Sequence, residues 1–267
     1  MTDDRRIEIE IEVTGTPEDV WEAIATGPGI SAWFVPTDVE PGEGGTVTQH
    51  HGEGIDAPPS RIVAWDTPRR LKVEDPEWQP TPGSPAGRLA TEWLVEARSG
   101  GTCIVRLVAS GFGDGPEWER TREGNAVGWR SALETLRLYL EYFLREPLAH
   151  ADAWAAAPGD RAATAAALRR ATGVDGAAPG DAVASAPPAP ALEGVVEAVI
   201  GDQVIVRTTV PTTGLAFIAA GGPGDETFAM VRMSLFGPDA AAVAAEAGPR
   251  WQAWLEAHLA GSSVNEQ

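Results

Sequence analysis

The chain has 267 residues, enough for one large domain or two small ones. Its net charge is −19, with fourteen cations against twenty-six acids in residues 1–146 and six against thirteen in 147–267. Neither part offers the basic footprint of a nucleic-acid binder, and an anionic membrane surface is disfavoured by the same repulsion. Cys103 is the only cysteine, which excludes an intrachain disulfide. No apolar run approaches the length of a membrane span and no signal region precedes the first alternating segment, so a cytoplasmic protein is expected. Ten Trp stand against two Tyr, and Trp brings large apolar area with a single N–H to satisfy. That balance suits a roomy interior.

Ile7 to Val13 alternates strictly and predicts a half-buried strand with Ile7, Ile9, Ile11 and Val13 inward. Thr16-Pro17-Glu18-Asp19 is a helix start, with a Thr cap, Pro at the first position and acids in the first turn. Val20, Trp21 and Ile24 form the buried side of that short helix. Gly27-Pro28-Gly29 breaks it, and Ile30 to Phe34 adds a second helical turn. Strands are expected at Thr46–His51, Arg61–Trp65 and Leu71–Glu74, with a loop at Gly52–Pro59 and a mobile Pro-rich loop at Pro76–Pro85. Arg88–Ala97 and Thr102–Ser110 read as a long hairpin through Ser99-Gly100-Gly101.

Gly113 to Arg145 reads as one long helix entered from a glycine-rich corner. Ala126, Trp129, Leu133, Leu136, Leu140 and Phe143 step by three and four, placing one apolar stripe on one face. Such a stripe needs a large concave partner, and the preceding strands supply one. The expected fold class is therefore α+β, a curved antiparallel sheet around a long helix.

After Leu148 the composition shifts. Ala151–Thr172 is alanine-rich and reads as helical, and Gly173–Pro190 reads as a linker. Strands follow at Val195–Ile200, Val204–Val210, Leu215–Ala219 and Thr227–Phe236, then a helix from Asp239 to Ala260. The expected domains are 1–146, an Ala/Pro/Gly-rich segment 147–190, and a smaller α+β domain 191–267. Val105-Arg-Leu-Val-Ala-Ser-Gly-Phe-Gly113 compares with Val231-Arg-Met-Ser-Leu-Phe-Gly237, and Trp129-x-x-x-Leu133 with Trp251-x-x-x-Leu255. These matches suggest a partial second copy without the early strand and helices; any strand-then-helix unit yields such matches equally well.

Several motifs carry a resemblance: Thr16-Pro-Glu-Asp-Val-Trp21, Trp33-Phe34, Arg61 to Leu71 with its Pro-x-x-Leu turn, Gly101 to Phe112, and Gly128-Trp129-x-x-x-Leu133-x-x-Leu136. In this order and spacing, residues 5–145 resemble the SRPBCC superfamily with its START and birch-pollen-allergen helix-grip fold. Within it they look most like bacterial relatives of the heat-shock-protein-90 ATPase activator domain. The resemblance implies a cavity between sheet and long helix, used by members for lipids, aromatic polyketides, hormones and other apolar molecules, and by a minority for chemistry. Chaperone activation belongs to eukaryotic members with an additional preceding domain. Six residues precede the first strand here, so that domain is not expected.

The candidate binding residues are Trp33, Phe34, Trp65, Trp93, Phe112, Trp129, Leu133 and Leu136, although ordinary core packing accounts for most of them equally well. His50 and His51 alternate on a strand, so one faces inward; His51 is the candidate carried forward, against a plain surface role. Arg122, near the stripe toward the N-terminal end of the long helix, can pair with a ligand carboxylate, hydroxyl or phenol. No metal-ligand spacing exists, and no cofactor is expected. The leading expectation is a soluble binding protein for an apolar or aromatic small molecule. The alternatives are a cyclase, dehydratase or hydrolase using the same cavity, or a protein-interaction module with a filled groove. A homodimer is compatible with either.

Overall fold

The computed structural model describes residues 5–50, 58–79, 87–157, 160–222 and 227–262. His51, most of the Gly52–Pro59 loop and most of the Pro76–Pro85 loop lie outside the described residues. The chain forms two units, residues 1–144 and 145–267.

The first unit runs β1 (Ile7–Thr14), α1 (Pro17–Ala25), α2 (Gly27–Trp33), β2 (Thr37–Val39), β3 (Thr46–Gln49), β4 (Ser60–Asp66), β5 (Arg70–Trp78), β6 (Gly87–Ala97), β7 (Thr102–Ser110) and α3 (Pro116–Tyr142). Its strands form one antiparallel sheet in the order β1-β7-β6-β5-β4-β3-β2. Thr16 caps α1 as expected: its Oγ1 accepts from the Asp19 amide at 3.2 Å, and the Asp19 carboxylate accepts from the Thr16 amide at 3.0 Å.

Strand alternation sorts the two faces of this sheet. Cross-strand partners share a face, so register defines rows. One row is Ile62, Val73, Thr91, Ala109 and Ile7; the next is Trp65, Leu71, Trp93, Leu107 and Ile9. Glu8, Glu10, Glu92 and Glu74 stand on the opposite face, where Arg106, Arg70 and Lys72 pair with them. That face is solvated, and the apolar rows take the helices. α3 packs along β1 and beside α1 and α2. The sheet grips the long helix, as the pattern of elements predicts.

The second unit runs β8 (Leu148–Ala157), α4 (Arg161–Thr172), β9 (Ala182–Ala184), β10 (Glu193–Ile200), β11 (Gln203–Val210), β12 (Gly214–Gly221), β13 (Thr227–Phe236) and α5 (Ala240–Ser262). Its sheet order is β8-β13-β12-β11-β10-β9. This corrects two expectations. Residues 151–157 are a strand paired with β13, not helix. Residues 173–190 carry β9, which pairs with β10, so they are built into the sheet and are not a free linker.

The second unit therefore follows the order of the first, with one early helix in place of two and one strand fewer: an opening strand beside the last one, a helix, a run of antiparallel strands, a closing helix. The "missing" strand and helix are β8 and α4. Alanine favours helix intrinsically, but pairing and packing override that. Ala151 and Ala153 belong to the core cluster with Trp251 and Leu255, and Ala155 packs against it. Their small side chains let α5 come close, and a Cβ on Gly248 would stand 3.7 Å from the Ala151 Cα.

β8 is an edge strand, and an edge leaves backbone groups open to another chain. Gln252 of α5 closes it. Its Nε2 donates to the Trp154 carbonyl at 3.0 Å and its Oε1 accepts from the Trp154 amide at 3.0 Å, as a neighbouring strand would. Gln252→Ala is expected to cost about 1 kcal/mol, since water replaces part of the lost pairing. It is also expected to raise self-association in sedimentation velocity over a concentration series. An unchanged melting point together with unchanged sedimentation would refute this role.

Candidate functional site

α3 divides into two halves. In the C-terminal half the core stripe is closed: Leu133, Leu136, Leu140 and Phe143 are buried. In the N-terminal half it is not. After Trp118 no residue of α3 is fully buried until Ser131, although Arg122, Asn125, Ala126 and Trp129 are in phase with the stripe. Below this stretch, Val73 and Thr91 at the centre of the sheet are also only half-buried. Close packing would bury such positions. The helix-facing side of the first unit is thus least closely packed under the N-terminal half of α3.

Each end of this stretch is aromatic. At one end four rings form a closed circuit. Trp33 meets Phe34 at 5.6 Å and Trp93 at 5.7 Å; Trp129 stacks on Phe34 at 5.7 Å and meets Trp93 edge-on at 5.7 Å. Trp33 and Trp93 are buried while Phe34 and Trp129 are only part-buried, so the circuit keeps some ring surface accessible. The Trp33 Nε1–H donates to the Ala23 carbonyl at 2.9 Å, which fixes that ring between α2 and α1. At the other end Trp118 of α3 meets Trp78 at 5.4 Å and Phe112 at 6.5 Å. From Trp118 to Trp129 the helix rises about 16 Å.

The candidate residues sort accordingly. Trp33, Phe34, Trp93 and Trp129 come together. Phe112 belongs to the opposite end with Trp118 and Trp78, which the sequence reading did not select. Trp65 shares the helix-facing side but meets Trp21 of α1 edge-on at 5.1 Å, so it seats α1. Leu133 and Leu136 are packed core beyond this stretch. Arg122 Nε donates to the Glu119 carboxylate at 3.2 Å, and the guanidinium holds that carboxyl below its ordinary range. It enters as half of an exposed i,i+3 pair.

His51 lies outside the described residues. Its neighbour His50 has its Nε2 2.9 Å from the Asp38 carboxylate, and both side chains are largely exposed. Among the described residues, then, this stretch holds no His–carboxylate couple of the kind the enzyme alternative needs. No group of three His, Cys, Asp or Glu able to hold a metal ion occurs among the described residues. Burial first, then the negative charges of Glu18 and Asp19, push the Cys103 thiol up, against a nucleophilic role.

One polar group was not anticipated. Asp75 pairs with Leu89 across β5 and β6, which puts it on the helix-facing side, two positions from Val73. The Ser60 hydroxyl donates to its Oδ1. Burial raises the Asp75 carboxyl, with the Ser60 bond opposing in part. The sequence reading ended this strand at Glu74 because Pro76 follows. A register shift between Asp75 and Trp78 accommodates that proline at a bulge. Alternation beyond Leu71 and Val73 was the available signal.

Among the described residues no helix is long and apolar enough to cross a membrane. Among known proteins, the comparison with curated sequences finds no match. Solved structures align at low similarity. The di-domain ARO/CYC BexL from the BE-7585A biosynthetic pathway is 14% identical, over 97% of this chain and 94% of that one, with a TM-score of 0.47. DynU16, a putative protein in the dynemicin biosynthetic locus, is 14% identical over 96% and 97%, with a TM-score of 0.44. Protein MLL2253 from Mesorhizobium loti is 20% identical over 52% of this chain and 98% of that one, with a TM-score of 0.46. The family model described as Activator of Hsp90 ATPase homolog 1-like protein matches residues 14–141, from the end of β1 through α3. On the motifs, the fold and this match, the first unit of the chain belongs to the family of Activator of Hsp90 ATPase homolog 1-like proteins.

Proposed function

We propose that the first unit binds an apolar or aromatic small molecule in the groove between α3 and the sheet. One observation carries this reading: the N-terminal half of the α3 stripe is only part-buried beside an aromatic circuit, while the C-terminal half is closed. The second unit supplies an internal contrast. Trp251 of α5, which matches Trp129 in its Trp-x-x-x-Leu motif, is 1% exposed. The matching position is buried in the second unit and only part-buried in the first. Binding draws on burial of ring surface, with stacking on Phe34 and Trp129 adding about 1 kcal/mol per ring pair.

The test is native mass spectrometry of protein from its own host, with a titration of the neutral dye N-phenyl-1-naphthylamine. The expected result is a co-purifying small molecule or saturable dye uptake, weakened about tenfold or more in Trp129→Ala. An empty protein that takes up no dye would overturn the reading and favour a protein-interaction role.

A further inference from the structure

We propose that the Ser60–Asp75 pair is the polar end of the groove, selecting an apolar ligand that carries a neutral hydroxyl and fixing its direction. This rests on the binding reading above and names the ligand chemistry.

The placement is the first argument. Glu8, Glu10, Glu12, Glu74, Glu92 and Glu96 all alternate onto the opposite, solvated face of the sheet. Asp75 alone of these strand acids alternates onto the helix-facing side, next to Leu89 and in line with Val73 and Ile62. A carboxyl on an apolar floor is costly unless something bonds it. Ser60 is its hydrogen-bond partner among the described residues, and it engages Oδ1. Oδ2 is left for a ligand.

The chemistry of the pair is the second argument. Burial raises the Asp75 carboxyl above its ordinary range, and the oxygen that Ser60 does not engage is an acceptor on the helix-facing side. An alcohol or phenol donates its O–H to that oxygen. An anionic ligand meets a carboxyl that cannot neutralise it, in a chain of net charge −19. From Leu71, beneath the ring circuit, to Asp75 is four residues, or about 13 Å along the strand. A rod of two rings with a hydroxyl at one end spans from the circuit to the pair.

The experiment compares two probes, 4-phenylphenol and biphenyl, by equilibrium dialysis on the full chain. The readout is the ratio of their dissociation constants, which cancels differences in folding and in groove shape. That ratio is expected to shift about tenfold against the phenol in Asp75→Leu. Asp75→Asn keeps a donor and an acceptor and is expected to retain most of the wild-type ratio. A ratio in Asp75→Leu equal to that of the wild type overturns the assignment while leaving the binding reading intact. If the wild-type protein binds neither probe, the binding reading falls, and the assignment with it. Should Asp75→Leu fail to fold, Ser60→Ala carries the test with an expected shift of about threefold, and an unchanged ratio again overturns it.

Discussion

Gly111→Ala is expected to lower the melting temperature of the first unit by about 10 °C, a loss of at least about 3 kcal/mol. Gly111 ends β7 and turns the chain toward α3. Its φ is +90°, outside the range that L side chains adopt readily, and an added Cβ would stand 1.9 Å from the Arg88 carbonyl oxygen. Strain and collision therefore add, and the collision is with backbone, which cannot rotate away. Two further substitutions separate the terms. Gly100 has the same φ of +90° but nothing within 4 Å, so Gly100→Ala carries strain alone, about 1 kcal/mol. Gly128 lies inside α3 with open space around it, so Gly128→Ala is expected to stabilise by up to about 1 kcal/mol. Differential scanning calorimetry reads all three. A Gly111→Ala protein melting within about 2 °C of the wild type would show that the corner relaxes freely, and the argument would fail.

The parts of the fold written in side-chain pattern were legible. β1, α1 with its capping box, the β6–β7 hairpin, α3 and strands β10 to β13 all follow from alternation, caps and a 3.6-residue stripe. β8 was not, because its inward side chains are alanines. Alanine marks no face by size, and its helix propensity points the wrong way. The remaining signal was alternation of His150, Asp152 and Trp154 between alanines. β9 is three residues long and is held by its neighbour, not by its own sequence.

Half of the site was legible for the same reason. Trp93 and Trp129 were placed by alternation and by the stripe, and Trp33 and Phe34 by the short helix before the sheet. Aromatic identity alone did not say which helix covers which row, so Trp65 and Phe112 were grouped with rings they do not meet. The partner of His50 was hidden because β2, which carries Asp38, is three residues long and was not expected. Asp75 was missed because the proline that follows it ended the strand on paper while a bulge carried it on in space.

The second large effect separates the two halves of α3. Leu136→Ala is expected to cost about 3 kcal/mol, because Leu136 is 0% exposed and its removal leaves a cavity in closed core. Trp129→Ala removes a larger side chain from the same stripe, yet is expected to cost less, about 2 kcal/mol. Trp129 is only part-buried and has no closed core around it to leave a cavity in, so part of the cost borne by Leu136→Ala is missing. Ligand response should invert that order. A ligand at one hundred times its dissociation constant adds about 2.7 kcal/mol to a protein that binds it only when folded. N-phenyl-1-naphthylamine at saturating concentration is therefore expected to raise the melting temperature of the wild type and of Leu136→Ala by similar amounts, and that of Trp129→Ala little. Thermal melts of the three proteins with and without the dye decide it. If Trp129→Ala proves as destabilising as Leu136→Ala and the dye shifts neither the wild type nor the variants, the N-terminal half of α3 is ordinary core. A stable Trp129→Ala protein that has lost its dye response means that this half of the helix is the roof of a binding site, held open at a stability cost that the closed C-terminal half offsets.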